Sequence, residues 1–276
     1  MTLRPAGGRG SLRLREGYQG SSFTELLETS SPGLRPFASA PSQGGVPLVG
    51  SLSVPHGTTV LGLRIEAGVI VAGDRLATEG YRVASRDIQK VFATDGHSLM
   101  AIAGAAGPAI EMAKIMRVEL EHYEKIEGEA LELEGKANKL SQMIRQNLPA
   151  AMQGLVVVPI FAGYDKRRMV GRVWKFDVTG GRYEEAEFET TGSGGLYAKE
   201  SLKKSWRPDL PREAGVRIAL QALLDAADED RGTGGVDVVR GIYPNIFVCE
   251  AAGIDEIPAE RVAELHRELL AARARR

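Results

Sequence analysis

Cysteine is almost missing from this chain: Cys249 is alone among 276 residues. A lone thiol excludes an intrachain disulfide and a zinc site built from several cysteines. It fits a reducing cytoplasm, which is the expected location. No apolar run approaches the roughly 20 residues needed to cross a membrane, so no membrane association is expected. The strongest run, 155–163, is short and interrupted by Pro159. The N-terminal stretch Met1-Thr2-Leu3-Arg4-Pro5-Ala6-Gly7-Gly8 lacks an apolar core, so no secretory signal is expected. There is no excess of either charge: 35 Lys+Arg against 36 Asp+Glu give a net charge of −1. That balance gives no reason to expect a nucleic-acid partner.

Several catalytic signatures are also absent. Only four histidines occur, His56, His97, His122 and His266, and no His-x-x-x-His pair is formed. A metalloprotease site is therefore not expected. Gly192-Ser193-Gly194-Gly195 lacks the spacing of a nucleophile elbow. No P-loop appears, and no Gly-x-Gly-x-x-Gly lies between a strand and a helix. Histidine-based, thiol and zinc hydrolysis are all disfavoured, and neither metal nor organic cofactor is expected.

What is present changes character near residue 57. Residues 1–57 hold 10 Gly, 6 Pro and 9 Ser, with five Arg and three Glu. Such a segment buries too little apolar surface to offset chain entropy and is expected to be mostly disordered. It reads either as a plain tail or as a removable leader. Residues 58–276 read as one compact domain. Strands are expected over 58–65 and 68–72, and over 91–94 and 98–103 around Asp95-Gly96, a type I′ turn signal. Ala109, Ala113, Met116, Leu120 and Tyr123 mark a helix opened by Pro108. Leu133, Ala137, Leu140, Ile144 and Leu148 mark a second, stopped by Pro149. Further strands are expected over 155–164, 170–177, 182–189, 236–241 and 246–250. Further helices are expected over about 198–203 and 212–228, with a last one opened by Pro258. Grouped strands and grouped helices point to stacked α+β layers rather than βαβ alternation.

The junction Val54-Pro55-His56-Gly57-Thr58-Thr59-Val60 sits at the composition break. Cleavage between Gly57 and Thr58 would give Thr58 a free amine. A threonine hydroxyl is a weak nucleophile, but an amine on the same residue can serve as its general base. An α-amino group titrates at about 7.7–8.0, where a base works well at physiological pH. The leader would then mask the nucleophile until folding is complete, and Gly57 offers no side chain to hinder attack on its own carbonyl. Taken alone, Gly-Thr-Thr reads far more readily as a strand start after a turn.

From Thr58 onward the chain resembles the proteasome β subunits of the actinobacterial type. Thr58-Thr59-Val60-Leu61-Gly62, the run Val71 to Thr78, Lys90-Val91-Phe92 and Ala103-Gly104-Ala105-Ala106-Gly107 carry the resemblance. So do Thr190-Thr191-Gly192-Ser193-Gly194 and Asp230-Arg231-Gly232-Thr233-Gly234-Gly235. The resemblance implies a four-layer αββα sandwich of the N-terminal-nucleophile hydrolase type, preceded by a propeptide, 1–57, that is removed by autocleavage. It implies Thr58 as nucleophile, with Lys90 supporting the alkoxide and Asp74 pairing with Lys90. Without Thr58, an ordinary ion pair is the preferred reading of Asp74 and Lys90.

The same resemblance implies that the Gly104 N–H faces the oxyanion, where a plain strand-to-helix turn is the alternative. Ser193, Asp230 and Thr233 would form a polar shell around the Thr58 amine; such residues also make simple loops. Thr78 would align the substrate strand, and Ala77, Ile88, Phe92, Ile102, Ala106 and Ile110 would line an apolar pocket. The family commonly has Ser where this chain has Thr233 and Gly195. Expected partners are an α ring, a β ring of identical copies, an ATP-driven unfoldase on the α ring, and unfolded proteins bearing a small protein tag. Two rivals stand beside this expectation. One is the simpler two-ring bacterial threonine protease, opposed by the long leader and the final helix. The other is a non-catalytic subunit, opposed by an intact Gly57-Thr58 with Asp74 and Lys90.

Overall fold

The computed structural model describes residues 57–79 and 82–275. Residues 1–56, where the sequence reading expects disorder and at most a short helical turn at 22–27, lie outside the described residues. Two five-stranded antiparallel sheets carry the fold. One has the order β10-β1-β2-β11-β12: β1 (Thr59–Ile65), β2 (Gly68–Gly73), β10 (Phe188–Gly192), β11 (Asn245–Glu250) and β12 (Gly253–Glu256). The other has the order β5-β6-β7-β8-β9: β5 (Val91–Asp95), β6 (Ser98–Ala101), β7 (Ile160–Asp165), β8 (Val170–Phe176) and β9 (Arg182–Glu185). A small ribbon pairs β3 (Ala77–Glu79) with β4 (Arg82–Ser85).

Side-chain alternation assigns each face of each sheet. Val60, Val69 and Val71 of the first sheet meet Leu99, Ile160, Ala162 and Val173 of the second. The residues between them, Leu61, Leu63 and Ile70, point to the opposite side. There they pack under α4 (Gly195–Ser205), α5 (Arg212–Glu229) and α6 (Ala259–Arg273), through Leu202, Leu220 and Leu265. Met100, Phe161 and Trp174 turn outward from the second sheet onto α1 (Ala106–Glu127) and α2 (Leu133–Gln146), meeting Met116 and Leu140. Three apolar interfaces separate four layers: this is the αββα sandwich. Cys249 is fully buried between the sheets, and burial pushes its thiol up to about 12.

The strands β3, β4 and β12 were not expected from the sequence, and other elements differ from the expectation in their bounds or pairing. The strand expected over 155–164 begins only at Ile160, because Pro159 cannot donate to a ladder. The strand expected over 182–189 is two strands in different sheets. β9 pairs with β8 and β10 with β1, and the chain crosses between them at Ala186 and Glu187. The crossing is tied down by Arg64, whose N–H donates to the Glu187 carbonyl and whose guanidinium donates to that of Ala186. Residues 236–241 form no strand: Asp237 and Ile242 close a turn that leaves Val239 exposed. α2 ends at Gln146, and Leu148, expected on its stripe, opens the short α3 (Leu148–Ala151).

The Asp95-Gly96 hairpin exists but is not type I′. Neither residue has a positive φ, which that turn requires at both. Instead the Asp95 carboxylate closes the turn, accepting from the His97 N–H at 2.8 Å and the Ser98 hydroxyl at 2.7 Å.

Candidate active site

β1 pairs with β2 on one side and β10 on the other, so the strand start is enclosed by both neighbours. Thr58, just before it, is buried at 5% exposure. The peptide bond before Thr58 has specific surroundings. The Thr58 hydroxyl donates to the Gly57 carbonyl oxygen at 2.7 Å. Lys90 Nζ approaches the same oxygen at 3.4 Å. The Gly57 N–H donates to Thr78 Oγ1 at 2.9 Å, from β3.

Lys90 comes from the residue preceding β5 and reaches across to the first sheet. Its ammonium has three N–H donors, and all are used. Besides Gly57 they meet Asp74 Oδ1 at 2.7 Å and the Leu76 carbonyl at 2.5 Å. Asp74 is fully buried. Its two oxygens also accept from the backbone N–H groups of Thr59 at 2.7 Å, Leu76 at 2.9 Å and Gly234 at 2.8 Å. Such saturation is what a buried ion pair needs to be tolerated. Burial still pushes the Lys90 ammonium below the ordinary lysine value, against the opposing pull of Asp74.

A second polar cluster flanks the Thr58 backbone nitrogen. That N–H donates to Ser193 Oγ at 3.3 Å. Ser193 and Thr233 each donate to Asp230 Oδ2, both at 2.6 Å. Ser193 and Asp230 therefore reach the Thr58 nitrogen in sequence. Thr233 instead contacts the Thr59 hydroxyl, at 2.6 Å. Thr59 is a site residue that sequence reasoning passed over. The available signal was a polar residue at the head of an otherwise apolar strand.

Gly104 has φ of +107°, and a β-carbon there would lie 2.1 Å from the Val156 carbonyl oxygen. Only glycine fits both conditions. Its bridge to Val157 is made by the neighbouring Ala105 and Val158 N–H groups, so the Gly104 N–H is not consumed in it. A cleft of about 20 Å³ opens beside Thr58, bounded by Gly57, Lys90, Gly104, Ala77, Ile88, Ile102 and Ala106. That is room for about one water. Four of the six expected pocket residues are thus together. Phe92 and Ile110 do not border this cleft; they pack against the core cluster that also holds the cleft residue Ile102. Ala109, which lines the cleft, was expected only as a core residue. A larger groove, about 710 Å³, lies elsewhere, between α4, α5 and α6, and is lined by mutually paired charges such as Asp225 and Arg273.

Among the described residues no cluster of His, Cys, Asp or Glu is arranged to hold a metal ion. None of their helices is long and apolar enough to cross a membrane.

Comparison with known proteins agrees with the sequence resemblance. A family model described as "Proteasome subunit" matches residues 54–240. The chain is 56% identical to the proteasome subunit beta of Acidimicrobium ferrooxidans over 216 residues, covering 78% of this chain and 79% of that protein. It is 48% identical to the corresponding protein of Rhodococcus erythropolis over 269 residues, covering 96% and 92%. It is also 48% identical to that of Streptomyces griseus over 250 residues, covering 91% and 88%.

Proposed function

The chain belongs to the proteasome subunit family, and from that premise we propose that it is a catalytic β subunit of a 20S core, a threonine-type endopeptidase synthesised with a leader that it cleaves itself. Residues 1–57 are the leader and 58–276 the hydrolase domain. The observation that carries the proposal is the Thr58 hydroxyl lying 2.7 Å from the carbonyl oxygen of the residue before it, with Lys90 on that same oxygen.

Maturation follows from this arrangement. The Thr58 oxygen adds to the Gly57 carbonyl carbon, and the carbon–nitrogen bond breaks as the nitrogen gains the hydroxyl proton. The resulting ester is hydrolysed by water. Gly57 leaves as a carboxylic acid, and Thr58 keeps a free hydroxyl and a free amine. In the mature site the amine removes the hydroxyl proton as the oxygen attacks a substrate carbonyl, then delivers it to the departing amine. Lys90, held by Asp74, supports negative charge on the Thr58 oxygen. The Gly104 N–H meets the oxyanion of the tetrahedral intermediate, where such a donor is worth about 3–4 kcal/mol. Ser193 and Asp230 orient the amine, with Thr233 behind them. Thr78 holds the substrate strand, and the cleft bounded by Ala77, Ile88, Ile102 and Ala106 receives an apolar side chain.

The active particle would be a closed barrel in the cytoplasm, with copies of this chain forming one ring against a ring of α subunits. An ATP-driven unfoldase would feed it unfolded, tag-bearing proteins. Co-expression with the α subunit followed by intact-mass measurement tests the core of this reading. The parent chain should lose residues 1–57 and gain peptidase activity. Thr58→Ala should keep the leader and show none, while Thr58→Ser should keep part of both. A processed, active Thr58→Ala protein would refute the assignment.

A further inference from the structure

Thr59 follows the proposed nucleophile and is completely buried. Its backbone is already occupied with Asp74: the N–H donates to Oδ1 at 2.7 Å, and the carbonyl accepts from the Asp74 N–H at 3.0 Å. The hydroxyl is therefore free for a separate task, and it lies 2.6 Å from Thr233 Oγ1.

The direction of that bond follows from its neighbours. An ionised carboxylate only accepts, and a hydroxyl has one proton to give. Thr233 gives its proton to Asp230 Oδ2 at 2.6 Å. Towards Thr59 it can only accept, so the Thr59 hydroxyl is the donor. By the same logic Ser193, which donates to Asp230 at 2.6 Å, accepts from the Thr58 N–H at 3.3 Å. The Thr58 carbonyl also lies 3.3 Å from Ser193 Oγ, but the carboxylate at 2.6 Å is the nearer and stronger acceptor, so the hydroxyl protons converge on Asp230. Gly194 encloses the threonine pair, because a β-carbon there would lie 2.3 Å from both hydroxyl oxygens.

We propose that Thr59 is a positioning residue for the Thr58 amine: its hydroxyl holds Thr233, and through Thr233 the Asp230 carboxylate that keeps Ser193 against that amine. The proposal rests on Thr58 being the nucleophile and its amine the base. Successive hydrogen bonds in a dry site strengthen one another, so donation from Thr59 reinforces the bond from Thr233 to Asp230. Without it Thr233 has an unpaired oxygen lone pair, and Asp230 loses the firm support of one of its two hydroxyl partners.

Two substitutions separate the hydroxyl from the volume it occupies. Thr59→Val keeps the shape and removes the donor. Thr59→Ser keeps the donor and removes a methyl group. Each is co-expressed with the α subunit, beside the parent and Thr58→Ala. Hydrolysis of a fluorogenic peptide gives kcat and KM, and thermal melting gives stability. Thr59→Val should lower kcat about tenfold with KM unchanged, the scale of one ordinary hydrogen bond. Thr59→Ser should stay within about twofold of the parent, even with a lower melting temperature. Parental kcat in Thr59→Val, or equal impairment in Thr59→Ser, overturns the proposal. Should Thr59→Val not accumulate as processed protein, Thr59→Ala removes the same hydroxyl and must show the same loss; parental kcat there overturns it as well. If Thr58→Ala hydrolyses the peptide, the nucleophile assignment falls and takes this role with it. If Thr58→Ala is inert while Thr59→Val is parental, only the role of Thr59 falls.

Discussion

Gly57 and Gly232 meet backbone to backbone: a β-carbon on Gly57 would lie 2.4 Å from both the Cα and the carbonyl oxygen of Gly232. Neither residue has a positive φ, so the restriction is one of space. The loop 230–234 closes over the bond preceding Thr58 at a distance that only paired glycines allow.

Gly57→Ala should therefore retard leader removal. Forcing a methyl group into packed backbone typically costs about 1–3 kcal/mol. The expected result is processing slowed about tenfold or more in a mass-resolved time course, with the same final mature chain and the same final specific activity. Processing at the parental rate would show that the loop yields freely.

Lys90→Met should lose peptidase activity by orders of magnitude and also destabilise the fold, because Asp74 becomes a buried charge without its partner. Breaking such a pair typically costs about 3–5 kcal/mol. Lys90→Arg should not restore activity, since a guanidinium does not reproduce three converging ammonium donors. Near-parental turnover in Lys90→Met would reduce Lys90 to a structural role.

The pH dependence has a definite sign. Burial lowers the Lys90 pKa from its ordinary 10.5. Between the folded value and 10.5 the unfolded chain binds more protons than the folded one, so this group makes stability rise with pH in that window. Activity should move the opposite way there, because the ammonium that supports the alkoxide is being lost. The alkaline limb of kcat should fall below pH 10.5, in a range where melting shows no collapse attributable to Lys90. An alkaline limb at or above the ordinary lysine value would contradict the burial described.

Cleavage should be faster after apolar residues than after charged ones. Ala77, Ile88, Ile102 and Ala106 offer an entering charge no partner, and an unpaired buried charge is costly. The cleft of about 20 Å³ must widen for a large side chain, so Ala and Val at this position belong in the peptide panel beside Leu, Phe and Tyr. About 1–3 kcal/mol per methylene bounds the discrimination between similar hydrophobes. Faster turnover after Arg or Glu than after any of these would show that the cleft is not the specificity pocket.

Cys249 should resist thiol reagents in the native protein, since burial holds its pKa at about 12. Labelling should appear only on unfolding. Fast native labelling would mean that the two sheets part readily.

Much of this arrangement was legible in the residues. The helical stripe through Met116 and Leu120 and the short connection at Glu66 and Ala67 lie where periodicity put them, because packing and local spacing agree there. The stretch 182–189 misled because its two halves are both strand-like, and nothing local states that they belong to different sheets. Val238 and Val239 misled because β-branched residues usually signal a strand, whereas here both are exposed in a turn. At the site, Asp74 and Lys90 were visible as side chains, but much of what fixes them is backbone. The Leu76 carbonyl and the Gly234 N–H have no signature in a sequence. Phe92 and Ile110 were placed in the pocket on resemblance alone, and they pack on the same core cluster as the cleft residue Ile102.

The hydrogen bonds around Thr58 also set a schedule. Thr58 to Ser193 spans 135 residues, Asp74 to Gly234 spans 160, and Thr59 to Thr233 spans 174. Contacts so distant along the chain are closed late, because each waits for large loops to be ordered first. During synthesis none of them can exist until residue 193 has been made, and two need residues beyond 230. A nascent or half-folded chain therefore carries the Thr58 hydroxyl beside the bond before it without the Ser193, Gly234 and Thr233 contacts that enclose the folded site. If the chain cleaves itself as proposed, the bond before Thr58 should stay uncut until these long-range contacts have formed, which makes it a timer of folding.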